Sequence, residues 1–120
     1  MARSVIAVVD DLFFASKIRG TAEQFGVPVS FPRGIELLKE AVARDQPSLV
    51  ICDLNSQRIN PIEVAQALKA NERTSHIPLL GFFSHVQTEL QIAAEQSGFD
   101  RVIPRSAFAR FLPQILSGTE

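Results

Sequence analysis

The chain has 120 residues, 46% of them apolar, which is enough for one sizeable core without help from disulfides. Its 12 basic and 13 acidic residues leave a net charge of −1 and are spread along the sequence, which disfavours binding to nucleic acid or to an anionic membrane. The lone cysteine, Cys52, excludes an internal disulfide, has no Cys or His spacing partner for zinc, and reads as core packing in a reducing compartment.

The chain opens with one Arg and an apolar stretch cut short by Asp10 and Asp11. That is too short and too acidic for a signal peptide or a spanning helix, so a cytoplasmic location is expected. Val5–Val9 reads as a first strand buried on both faces, and Phe14–Phe25 as a helix stopped by Gly26. Val27–Phe31 is a weaker strand, because Pro28 removes a donor and confines it to a sheet edge. In Ile35–Arg44 the residues Ile35, Leu38 and Val42 share one helical face, with Glu36, Lys39 and Glu40 elsewhere.

Leu49–Leu54 is the third strand, and Pro61 suits the first turn of a helix, Pro61–Ala70, after Asn60. Leu79–Phe83 follows as a strand, Val86–Ser97 as a helix stopped by Gly98, and Val102–Ile103 as the last strand. Ala107–Leu116 is a final helix that Ser106 is placed to cap. Five strands alternating with five helices predict one α/β domain over residues 1–120, a parallel sheet with right-handed crossovers and helices on both faces.

In open sheets of this kind ligands bind beyond the carboxyl ends of the strands. Asp10 and Asp11 follow the first strand and Asp53 the third, so adjacency of those strands would bring three carboxylates together. Such a cluster suits a hard divalent cation such as Mg²⁺ and phosphate chemistry, and a carboxylate can take up a phosphoryl group as an acyl phosphate. Each Asp also has a plain structural use: capping the first helix for Asp10 or Asp11, starting a turn with Asn55 for Asp53.

The stretches Ile6-Ala7-Val8-Val9-Asp10-Asp11 and Leu49-Val50-Ile51-Cys52-Asp53-Leu54-Asn55 resemble the receiver domain of bacterial response regulators. The resemblance covers essentially the whole chain. It implies a flavodoxin-like, three-layer, doubly wound (βα)5 fold with strand order 2-1-3-4-5. It also implies Asp53 as phosphoacceptor, Asp11 as a direct Mg²⁺ ligand, Asp10 acting mostly through water, and the Asn55 carbonyl completing the metal set. A histidine kinase or phosphotransfer protein would be the phosphodonor, and output would run through contact with a downstream protein.

The same sequence departs from the receiver pattern at the switch positions. Phe83 aligns where receivers carry Thr or Ser, and Ser84 is one residue late, on the opposite face by strand alternation unless a bulge rescues it. Arg105 stands at the Lys position and is followed by Ser106 instead of Pro. A guanidinium is a planar fork where Lys offers a point charge. A cis Arg-Ser bond would cost roughly 2.5–4 kcal/mol, so a trans bond and a shifted Arg105 are expected. Val102 replaces the aromatic switch residue, Gln57 replaces a loop Pro, and Pro61 falls near the expected Gly.

His76 and His85 lack the spacing of a catalytic or metal arrangement, leaving His85 as a pocket-rim candidate. Of Phe13 and Phe14, one is expected to be buried and the other to lie beside the site. Phe108, Phe111 and Ile115, with Arg101, Arg105 and Arg110 nearby, have the composition of an interface, which makes the face from strand four to helix five a candidate for homodimerisation or partner docking.

The sequence therefore predicts a stand-alone, non-enzymatic signalling module. Its activity would not exceed self-phosphorylation from small phosphodonors and slow self-dephosphorylation. A phosphorylation-independent, protein-binding form is the near-equal alternative. A small Mg²⁺-dependent phosphohydrolase is disfavoured, since the position two residues beyond Asp53 is Asn55 and that beyond Asp10 is Leu12, neither a general acid.

Overall fold

The computed structural model describes residues 3–84 and 88–119. Five strands carry the fold: β1 Val5–Val8, β2 Val29–Ser30, β3 Leu49–Asp53, β4 Leu79–Phe83 and β5 Arg101–Pro104. They form one sheet in the order β2-β1-β3-β4-β5, and each neighbouring pair is parallel, as expected. The weak second strand is two residues long and lies at the edge, where the missing donor of Pro28 breaks no ladder; its carbonyl still accepts from Val5 N at 3.0 Å.

Helices α1 Leu12–Gln24, α2 Ile35–Asp45, α3 Pro61–Ala70 and α4 Thr88–Ser97 fill the connections. The expected start of α4 at Val86, like His85, lies outside the described residues. Period-two alternation along the strands feeds two cores. Ile6, Val8, Val50, Cys52 and Leu79 pack with Leu38, Val42, Val64 and Leu68 on one face, while Val5, Ala7, Ile51, Leu80 and Phe82 pack with Phe14, Ile18, Phe108 and Leu112 on the other. Gly81 lets β4 run between them, since a Cβ there would stand 2.9 Å from Leu54 Cδ2 and 3.2 Å from Phe99.

The C-terminal helix expected as one element is two, α5 Arg105–Arg110 and α6 Leu112–Ser117. Pro113 has no N–H for the carbonyl of Ala109 and is tolerated only in a first turn, so the helix stops at Phe111 (φ −102°, ψ 13°) and restarts. Ser106 is not a cap but an exposed residue inside α5, because β5 runs through Pro104 directly into the helix. Gly26 and Gly98 stop their helices at φ 65° and 124°, conformations that disfavour a side chain. No helix among the described residues is long and apolar enough to cross a membrane.

Candidate functional site

Since β1 and β3 are adjacent, with Val8 opposite Cys52, Asp10, Asp11 and Asp53 all stand at the carboxyl end of the sheet. Each carboxylate has a distinct set of partners. Asp53, 9% exposed at the end of a fully buried strand, accepts a 2.9 Å bond from Asn55 N on Oδ1, the geometry of an Asx turn. Among the described residues Oδ2 of Asp53 accepts nothing. Burial pushes its carboxyl above the usual range; the Asn55 bond and Arg105 oppose this, and the charges of Asp10 and Asp11 add to it.

Asp11 caps α1, its Oδ1 accepting from Phe13 N at 2.9 Å and Phe14 N at 3.2 Å. Its Oδ2 receives Arg105 Nη2 at 3.4 Å. The Arg105 guanidinium also lies 4.6 Å over the ring of Phe14, a cation–π contact. Phe14 in turn belongs to a stack with Phe82 and Phe108, whose centroids are 4.3 Å apart with planes 8° from parallel. Arg105, the first residue of α5, is thus held to α1 and, through the stack, to β4.

Asp10 turns toward the β3–α3 connection. Oδ1 accepts from Ser56 Oγ at 2.8 Å, and Oδ2 from Gln57 N at 2.7 Å and Arg58 N at 3.1 Å. Burial raises its carboxyl, but these three bonds together hold it below the usual range.

At the end of β4, Phe83 is buried and Ser84 exposed, so alternation holds and there is no bulge. Ser84 N donates to Asn55 Oδ1 at 2.9 Å, tying the two loops. A surface cavity of about 440 Å³ opens between Phe14, Phe83, Ser84, Arg105 and Ser106. No described peptide bond is cis. Phe13 is 78% exposed and Phe14 buried, the division expected of that pair, and Leu12 is 82% exposed beside them.

Five parallel strands in this order match solved structures closely. A response regulator from Hahella chejuensis superposes with a TM-score of 0.84 at 19% identity, over 97% of this chain and 93% of that one. A phosphorylated cyanobacterial phytochrome response regulator gives 0.77 at 18%, over 100% and 92%. The fold is that of a response-regulator receiver domain. The receiver domain of a sensor histidine kinase from Pseudomonas aeruginosa, described with a magnesium ion coordinated in its active-site cleft, gives 0.78 at 13%, over 98% and 99%. No protein-family model and no curated protein sequence matches the chain.

Against that receiver fold, the oxygens of Asp10, Asp11, Asp53 and Asn55 suit Mg²⁺ in kind, being hard donors. They do not suit it in arrangement. Asp10 faces three donors, Asp11 is divided between the α1 amides and Arg105, and no group of three His, Cys, Asp or Glu side chains poised for an ion occurs among the described residues. Ser56 and the cation–π role of Phe14 went unforeseen in the sequence, since nothing local links Asp10 to a serine 46 positions away.

Proposed function

We propose that this chain is a receiver-type signalling module that acts by binding a protein partner and needs no phosphoryl transfer to Asp53. The observation that carries this reading is the commitment of Arg105. Its guanidinium pairs with Asp11 and lies on Phe14, while the buried Phe83 brings no hydroxyl to the end of β4. The three oxygens of a phosphoryl group on Asp53 would share about two negative charges, and among the described residues they would meet Phe83 at the end of β4 and an Arg105 already engaged by Asp11 and Phe14. The exposed Leu12 and Phe13 beside the site supply apolar area of the kind that anchors protein contacts.

A second reading keeps Asp53 as phosphoacceptor with Mg²⁺, supplied by a histidine kinase or phosphotransfer protein. It is favoured by Oδ2 of Asp53, which accepts no bond among the described residues, and by the magnesium in the Pseudomonas relative. In this reading Asp10 meets the ion while it holds the β3–α3 connection, and Arg105 shares its charge between Asp11 and the phosphoryl group. Neither reading involves turnover of a substrate.

Intact-mass spectrometry after incubation with acetyl phosphate and Mg²⁺, with beryllium fluoride binding followed in parallel, separates the two. No adduct and no beryllium fluoride binding are expected. A phosphoryl adduct that vanishes in Asp53→Asn would replace the first reading with the second.

A further inference from the structure

We infer that Asp10 is a positioning residue that fixes the β3–α3 connection without a metal ion, an inference that rests on the receiver-type reading of the site. Between Asp53 and the start of α3 the chain must turn at the protein surface, and its amides need acceptors. All five N–H groups from Asn55 to Ile59 have one. Asn55 N donates to Asp53 Oδ1 at 2.9 Å, and Ser56 N to the Asp53 carbonyl at 3.0 Å. Gln57 N and Arg58 N both donate to Asp10 Oδ2 at 2.7 and 3.1 Å. Ile59 N donates to Ser56 Oγ at 3.3 Å, and that hydroxyl is itself oriented by Asp10 Oδ1 at 2.8 Å.

Three of the five amides therefore depend on one carboxylate from another strand. A carboxylate offers about four lone-pair sites, and three are filled here by donors whose positive ends point at it. A cation would find only the fourth site open, on Oδ1 beside the Ser56 hydroxyl, and would share the carboxylate with donors whose dipoles oppose it. Bonds to a charged acceptor are also the strong ones. The carboxyl of Asp10, held below its usual range by the same three bonds, is ionised at neutral pH and keeps them all.

Asn60 then caps α3 through Ile62 N at 3.0 Å, so the exposed pair Gln57 and Arg58 is held between two anchors. The shape of the loop that a partner meets at this site is written into the chain and does not wait on an ion.

The test is amide hydrogen exchange by NMR on the full chain in EDTA, comparing wild type with Asp10→Asn and Asp10→Ala, followed by titration of wild type with Mg²⁺ alone. Gln57 and Arg58 are expected to exchange about tenfold or more faster in the variants, the scale of losing a bond to a charged acceptor. Mg²⁺ should move neither those resonances nor the melting temperature. The Asn variant keeps the shape of the side chain and serves if the Ala variant fails to fold. Unchanged exchange at Gln57 and Arg58 overturns the inference, and so does a saturable Mg²⁺ shift of wild type that Asp10→Asn abolishes. Neither result requires a phosphodonor, so failure here is distinct from an acyl phosphate forming on Asp53.

Discussion

Replacing Asp53 by Asn should stabilise the protein at neutral pH. The carboxylate is 9% exposed, receives one bond from Asn55 N, and feels the charges of Asp10 and Asp11 against that of Arg105, which is bonded elsewhere. An Asn side chain keeps an oxygen for Asn55 N, giving up about 1 kcal/mol as a charged acceptor becomes a neutral one. Removing a poorly solvated, repelled charge returns more than that, since a buried polar group short of partners costs about 1–3 kcal/mol and a charged one more. The net gain is about 1 kcal/mol, or ~3–5 °C in Tm for a chain of this size.

The sign of the pH dependence follows from the raised carboxyl. The native state binds its proton at a higher pH than the unfolded chain, so wild-type stability falls as pH rises through the interval between the two values. The advantage of Asp53→Asn is therefore complete above that interval and disappears below the ordinary carboxylate range, near pH ~4. Thermal melts by circular dichroism in EDTA, from pH 7 downward, measure it. A variant no more stable than wild type at pH 7 would refute the reasoning.

Gly81→Ala should cost about 1–3 kcal/mol in a denaturant titration, because Leu54 and Phe99 must both yield to the new Cβ; an unchanged midpoint would refute the close approach. Phe108→Ala removes a fully buried ring from the stack with Phe82 and Phe14 and should cost about 3–5 kcal/mol; a loss under ~1 kcal/mol would mean that the ring is not packed there. Cys52 is fully buried, and burial, with the charge of Asp53, pushes its thiol up. It should resist a thiol reagent in the native protein and react at the rate of unfolding, whereas prompt labelling without denaturant would contradict its burial.

Strands β1, β3 and β4 were legible because each is an apolar run buried on both faces, a signal that survives without knowledge of neighbours. The break in the last helix was not. Phe108, Leu112 and Ile115 keep helical spacing straight across it, because both pieces bury the same side against α1 and the sheet, and Pro113 falls where a helix can restart. The three acids were legible as a group from their places after β1 and β3. What each one does was not, since the partners of Asp10 lie 46 to 48 residues away and Arg105 chose Asp11, 94 residues away. The capping role of Asp11 and the Asx turn at Asp53 are the plain structural uses open to each acid alone, and the geometry contains both alongside the acid cluster.

Arg3 donates from Nε to the Leu116 carbonyl at 2.7 Å and from Nη2 to that of Ile115 at 2.9 Å, filling acceptors that the end of α6 would otherwise turn to water. These two bonds stitch the lead-in to β1 onto the last helix. Under mechanical load applied near residues 3 and 118, the stitch would bear force before any strand does. Once it parts, tension falls on β1, which lies inside the sheet between β2 and β3 and must slide past both. An atomic-force trace should thus show a weak first event that Arg3→Ala removes, followed by a single stronger rupture of the sheet.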